Sequence, residues 1–261
     1  TTYIYTLSLH DALPIFWDFD DGVKSKDEAL ALLRCAVSTG IVTLFVTPHL
    51  VRGGIYDPSA EQIKQKTLDL IDLKNEAGLD IELKYACEFR INDESMNAIV
   101  NRQFVCYQDT EYLLVEFTRR IVDSRLIEDA IYELTMMGVK PIIAHPERYF
   151  DSEVQAVDVC KKWLSFGAYF QINRTSLMGF HGERADKISW RLLKEGLAHI
   201  VASDAHQGEG RRECRLDDVH AMIERRFGKI TADVLCIDNP TSLKNNEDLI
   251  SISVKKAWWH K

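Results

Sequence analysis

The sequence predicts an α/β chain whose parallel strands close into a barrel, and three observations carry that expectation. A helix-like segment ending at a glycine is followed repeatedly by a short β-branched or aromatic run, as at Gly40, Gly78, Gly138, Gly167 and Gly196. Most of these runs end in a residue able to bind a metal, and in such barrels the site lies at the C-terminal ends of the strands. The length of 261 residues suits one α/β barrel, with no low-complexity or Pro/Gly-rich linker to divide it.

The elements follow in order. In SKDEALALLRCAVSTG, Ser25 and Glu28 have capping-box spacing and apolar residues recur at helical intervals. Gly40 suits the C-terminal cap, and the run IVTLFVTPH then stops at His49. After Gly78 the run LDIELKYACE ends at Glu88, and YLLVEF delivers Glu116 without a preceding glycine. VKPIIAHPE supplies His145 after Gly138, AYFQIN follows Gly167, and LAHIVASDAH brings Asp204 and His206 after Gly196. Alternating helix and strand implies parallel strands joined by right-handed crossovers. An open doubly wound sheet is the alternative architecture, and it too places ligands at strand carboxyl ends.

Composition narrows the function classes. A formal charge of −8 argues against a nucleic-acid backbone or an anionic membrane as the main partner. No run approaches the roughly 18 apolar residues of a membrane span. The opening stretch has no basic n-region, uninterrupted apolar core or cleavage site, as a secretory signal would. Six scattered cysteines without a C-x-x-C pair suit a reducing cytoplasm. No thiolate-phosphatase spacing, G-x-S-x-G or G-x-x-x-x-G-K-[ST] is present.

His49, Glu88, Glu116, His145, Asp204 and His206 thus stand at predicted strand ends. One such residue is ordinarily a cap or a surface group, but six at one face are costly to bury without a counter-charge. Mixed imidazole and carboxylate donors suit Mn, Fe or Zn better than Ca. On a strand, Asp204 and His206 would share a face and could serve adjacent ions. Arg148 follows His145 closely enough to meet an anionic substrate, or equally to pair Glu147 at the surface. His181, His199 and His220 read as surface or internally satisfied histidines.

TPH at 47–49, ACE at 86–88, VEF at 115–117, IIAHPERY at 142–149 and ASDAH at 202–206 resemble the polymerase and histidinol phosphatase (PHP) superfamily. More narrowly they resemble its bacterial CpsB/YwqE-type tyrosine-protein phosphatases of capsule and exopolysaccharide synthesis. DDGVKS from Asp20 to Ser25, Gly210-Arg211 and DNP from Asp238 to Pro240 fit the same pattern, so the likeness runs from about Trp17 to about Asn246. It implies a distorted (β/α)7 TIM-like barrel holding three divalent ions, commonly Mn2+. By position, Glu88 would bridge two ions, with Asp204 on the first and Glu116 and His145 on the second. Asp21, His49 and His206 would hold the third, and Arg148 and Arg211 would contact phosphate. The implied partner is the phosphotyrosine-rich tail of a bacterial tyrosine kinase, with neither nucleic acid nor membrane insertion; a homo-oligomer is compatible.

The resemblance also calls for an H-x-H pair at positions 12 and 14, where this chain has Ala12 and Pro14. His10 lies two residues too early, and TTYIYTLSLHDALPI reads as a translated sequencing adapter. Residues 1–15 are therefore expected to be foreign, with the barrel domain spanning 16–261 and lacking its authentic first strand. The expected function is metal-dependent hydrolysis of phosphotyrosine. A histidinol-phosphatase-like enzyme and a non-catalytic phosphotyrosine-binding barrel, favoured by the missing histidines, are the alternatives.

Overall fold

A computed structural model describes residues 22–117, 124–208 and 210–252. Its strands are β1 (Thr43–Val46), β2 (His49–Leu50), β3 (Glu82–Tyr85), β4 (Glu88–Ile91), β5 (Tyr112–Phe117), β6 (Lys140–Ala144), β7 (Tyr169–Asn173) and β8 (Ile200–Ala202). Every pairing between them is parallel: β1 with β3, and β2-β4-β5-β6-β7-β8 in that order. The two sheets are one wall with a seam. Ala86 N–H donates to the Val46 carbonyl and Glu88 N–H to that of Pro48, carrying the ladder across both strand breaks.

Neighbours in space are thus neighbours in sequence, with no reversal of order. A doubly wound sheet requires such a reversal, so the described strands have the order of a barrel wall rather than that of a doubly wound sheet. Among the described residues no ladder joins β8 back to β1. The expected loss of the first strand, and the expectation that residues 1–15 are foreign, lie outside the described residues.

The period of two along each strand sorts side chains between two cores. Phe45, Ala86, Tyr112, Leu114, Ile142, Ala144 and Ile200 pack together in an inner cluster. The alternate residues Leu113, Val115, Ile143, Phe170, Ile172 and Val201 belong to a larger cluster shared with the helices. The helix Lys26–Ser38 buries Ala29, Leu32, Leu33 and Ala36, one stripe at helical spacing. Each such leucine contributes about 1.5–3 kcal/mol of burial free energy. The amino end of the wall is closed by the C-terminal segment, where Tyr112 Oη donates to the Glu247 carbonyl (2.7 Å) and Leu243 and Leu249 enter the inner cluster.

Local signals mostly hold, with two differences. Ser25 caps its helix by accepting from Glu28 N–H (3.2 Å), a contact worth about 1 kcal/mol. Glu28, however, accepts from Lys24 N–H (2.6 Å) instead of completing the box on Ser25. The run expected to stop at Glu88 instead resumes there and continues to Ile91. Gly196 ends its helix at φ +73°, and a Cβ there would lie 2.4 Å from the Ile252 carbonyl oxygen, so only glycine fits.

Candidate metal centre

The strand parity that builds the inner core also builds a cleft at its carboxyl end. Phe45 and His49 share parity on the first strand pair, as do Ala86 and Glu88 on the second. Leu114 and Glu116 share it on β5, whereas Asp204 lies past the end of β8. His49, Glu88, Glu116, His145, Arg148, Asp204 and His206 line one cleft of about 290 Å³. Asp21 lies outside the described residues.

His145 breaks the parity, because Ala144 before it already faces inward. Its backbone sits at φ +37°, in the left-handed region that non-glycine residues rarely adopt, and this turn brings the ring into the cleft. Asp204 is also left-handed, at φ +51°. Two such residues at one site fit the tendency of backbone strain to collect where function needs a special orientation. The strand has ended at Ala202, so alternation along a strand is not what brings Asp204 and His206 together.

One half of the cleft is a tight carboxylate–imidazole cluster. His49 Nε2 lies 3.5 Å from Glu88 and 3.7 Å from Glu116. His145 Nε2 lies 3.0 Å from Glu88 and 3.9 Å from Glu116. Ligand atoms of His49, Glu88 and Glu116 all fall within 4.8 Å of one another. Burial, and then the neighbouring Glu88 carboxylate, push Glu116 up to about 7. Burial, and then Arg148, push His145 down to about 4, leaving a neutral imidazole. Its Nδ1 is buried without a hydrogen-bond partner. Two desolvated carboxylates beside the neutral His145 imidazole, with its orphaned nitrogen, and the His49 ring fit a divalent cation, which would reverse the unfavourable charge balance.

The other half carries guanidinium groups. Asp204 accepts from Asn173 Nδ2 (2.7 Å) and from Arg212 (3.1 Å), and Arg148 stands 3.7 Å away. His206 Nδ1 lies 3.0 Å from the Asp204 carbonyl oxygen and therefore carries the proton. This leaves Nε2 to accept from Arg212 (2.8 Å). Arg212 Nε is buried and unpartnered. Arg148 does not pair Glu147, which is fully buried and accepts from Asn173 N–H (3.1 Å). Arg211 does not line the cleft; its guanidinium lies 5.7 Å from the centre of the Phe180 ring.

Sequence reasoning missed Arg90, Asn173 and Arg212. Arg90 is the register partner of Glu116 on the adjacent strand and holds it at 2.7 and 2.6 Å through Nε and Nη2. Parity with Glu88 was a usable signal for it. Asn173 ends the run AYFQIN at the inward parity of Gln171. Nothing local distinguishes Arg212 from Arg211. Among the described residues, the three histidines outside the cleft are internally satisfied: His199 accepts from Phe170 N–H (3.1 Å), His220 pairs Asp233 (2.9 Å), and His181 meets Thr175 Oγ1 (2.9 Å). No cysteine lines the cleft, and burial pushes Cys106 up to about 11 and Cys87 higher still.

Fold and cleft together define an α/β-barrel protein with a buried donor set suited to divalent cations. The family model described as capsular polysaccharide synthesis, CpsB/CapC, matches residues 12–245, and the chain belongs to that family. It is 35% identical over 192 residues to a putative tyrosine-protein phosphatase CapC of Staphylococcus aureus, covering 74% of each chain. It is 29% identical to the tyrosine-protein phosphatase CpsB of Streptococcus pneumoniae, over 88% of this chain and 95% of that one. Among solved structures, one from a study of YwqE of Bacillus subtilis and CpsB of Streptococcus pneumoniae, described as unique metal-dependent tyrosine phosphatases, superposes with a TM-score of 0.84. That match has 28% identity and covers 94% of this chain and 97% of that one. A Listeria monocytogenes lactonase, at TM-score 0.52 and 12% identity, shares the fold alone.

Proposed function

We propose that this chain is a metal-dependent protein-tyrosine phosphatase acting on the phosphotyrosine-bearing tail of a bacterial tyrosine kinase in capsule synthesis, in the cytoplasm. The observation that carries the reading is the two-part cleft, a carboxylate–imidazole cluster facing two arginines. Among the described residues no helix is long and apolar enough to cross a membrane, which is compatible with that setting.

His49, Glu88, Glu116, His145, Asp204 and His206 would hold the ions, with Asp21 added on the resemblance and Mn2+ the expected metal. Bound divalent ions would supply a water of lowered pKa and neutralise charge on the phosphoryl oxygens. Arg148 and Arg212 are the groups placed to grip non-bridging oxygens, because a guanidinium fork matches their geometry. To do so Arg212 exchanges His206 and Asp204 for phosphate. Arg90 fixes Glu116, and Asn173 fixes Asp204. A phenolate leaves without prior protonation, so no acid need be placed over the leaving oxygen.

Initial rates on a phosphotyrosine peptide, histidinol phosphate and p-nitrophenyl phosphate, with and without Mn2+, test this reading. Metal-dependent, chelator-sensitive hydrolysis that favours the peptide and survives thiol alkylation supports it. Preference for histidinol phosphate would mean a small-molecule phosphatase, and peptide binding without turnover a binding module. We further propose that residues 16–261 form the catalytic domain. Replacing residues 1–15 by a strand with histidines at 12 and 14 should then raise the metal bound per chain, measured by elemental analysis.

A further inference from the structure

Beside the cleft runs a second surface that the reaction does not use. A groove of about 370 Å³ lies between the helices Glu183–Lys194 and Asp217–Phe227 and the turn after the short helix Arg174–Leu177. Its apolar lining includes Met178, Trp190 and Met222, and Arg225 and Arg226 also line it. The Trp190 indole is fixed by donating Nε1–H to the Leu177 carbonyl (3.1 Å), and Arg226 lies over its ring at 4.5 Å. Among the described residues, Asp186 is the one carboxylate on the lining.

The charge pattern is what makes this surface unusual. The chain carries a formal charge of −8, and most arginines nearby are neutralised. Arg174 pairs Asp218 (2.6 Å), Arg191 pairs Glu195 (2.9 Å) and Arg215 pairs Asp217 (2.7 Å). Among the described residues, Arg211, Arg225 and Arg226 have no carboxylate partner. Their contacts are the Phe180 ring for Arg211, the Ala221 carbonyl (3.3 Å) for Arg225, and the Trp190 and Phe227 rings for Arg226.

This surface is continuous with the cleft. His181 meets Thr175 Oγ1 (2.9 Å), two residues after Asn173, whose amide holds Asp204 in the cleft (2.7 Å). Phe180 and Gly179 lead back along the chain to Met178 in the groove, and Phe180 is exposed beneath Arg211. Arg174, only 2% exposed, ties the two regions together. It donates to Asp218 on the helix that carries Arg225 and Arg226, and to the carbonyl of Arg211 (3.3 Å).

We propose that this groove binds an acidic, aromatic-containing segment of the substrate protein next to the phosphotyrosine held in the cleft. The proposal rests on the phosphotyrosine phosphatase reading above and assigns that enzyme a flank-binding site. Carboxylates of the segment meet the three guanidiniums that lack a carboxylate partner, and an aromatic or aliphatic side chain lies against Met178, Met222 and the Arg226 guanidinium, which covers the buried Trp190 ring. Stacking and softness suit such a floor, and a basic patch on an acidic protein steers an anionic peptide to one place.

The test compares the wild-type chain with Arg225→Glu/Arg226→Glu, with Arg225→Lys/Arg226→Lys, and with Arg225→Glu alone, which leaves the stack on Trp190 intact. Melting curves establish that each folds. On a phosphotyrosine peptide flanked by glutamates, the double Glu variant should raise KM by roughly tenfold with kcat unchanged, and the double Lys variant should stay near wild type. Hydrolysis of p-nitrophenyl phosphate should not change. The unphosphorylated Glu- and Tyr-containing peptide should bind the wild-type chain with an affinity that falls as salt rises, and should bind the double Glu variant at least several-fold more weakly. Equal peptide KM values in wild type and the folded Glu variants would overturn the proposal. So would absent or salt-independent binding of the unphosphorylated peptide, or binding to phosphatidylserine vesicles in place of the peptide. If no phosphotyrosine peptide is turned over, the enzymatic reading fails, while the unphosphorylated-peptide titration still decides whether the groove takes an acidic segment.

Discussion

The two halves of the cleft are prepared in different ways. His49, Glu88 and Glu116 stand on parallel strands, and their positions follow from register: His49 pairs Glu88, and Glu116 pairs Arg90. Asp204, His206 and Arg212 lie past the end of β8, where hydrogen bonds and one left-handed residue set the geometry. The strand-borne half cannot move without breaking the sheet, because a one-residue slip would turn every side chain to the other face. The loop-borne half can exchange partners at the cost of a few hydrogen bonds. A rigid half suits holding ions in place, and in the adaptable half Arg212 can leave Asp204 and His206 to an ion and turn to an anion.

The largest expected effect lies in the rigid half. Glu88→Gln removes the carboxylate that stands between His49 and His145, and should lower kcat by on the order of 10³-fold together with the metal bound per chain. Activity within a few-fold of wild type at full metal content would show that the register-built cluster is not the reacting centre.

The loop-borne half is tested by its two adjacent arginines. Arg212→Ala removes a charge-assisted contact of about 1.5–3 kcal/mol. It should raise KM for p-nitrophenyl phosphate and for phosphotyrosine peptide alike, by roughly 10–100-fold. Arg211→Ala should spare the small substrate and weaken only the acidic peptide. The reverse pattern would mean that the two side chains trade places when substrate binds.

A smaller effect is expected where the halves join. Asn173→Ala deletes the amide that orients Asp204 and should weaken metal binding by roughly 10-fold, measured by competition with a chelating dye. An affinity unchanged in that assay would assign the orientation of Asp204 to Arg212 alone.

The last effect concerns stability away from the cleft and leaves activity untouched. Burial pushes His199 down to about 4 from an ordinary 6.5. The unfolded chain therefore takes up its proton first as pH falls. This contribution is complete above about 6.5 and is lost progressively toward about 4; its full size is about 3 kcal/mol. His199→Asn keeps an acceptor for Phe170 N–H and should flatten the fall in Tm across that window. An equally steep acid fall in the variant would assign it to the cleft carboxylates and histidines instead.

The barrel-type fold was legible because its signals are local and repeated: a helix stripe, a glycine stop, then an apolar run. Strand ends were legible as well, since one ligand-capable residue after such a run is ordinarily a cap, but six at one face are costly to bury without a counter-charge. This is why the chain shows His49, Glu88, Glu116, His145, Asp204 and His206 before any coordinates. Parity could also have shown Arg90 and Asn173, because alternation needs only one anchored residue per strand. Three things needed tertiary structure. The φ of His145 turns its ring against the strand's parity, and backbone angles of that kind are held by surrounding packing rather than by local preference. Arg212 takes the cleft position and Arg211 the Phe180 ring, a choice between identical side chains that only their partners can make. Arg225 and Arg226 share one helix and Arg211 precedes it, yet nothing local shows that they lack carboxylate partners, because whether a charge is neutralised depends on what the fold brings within about 4 Å of it.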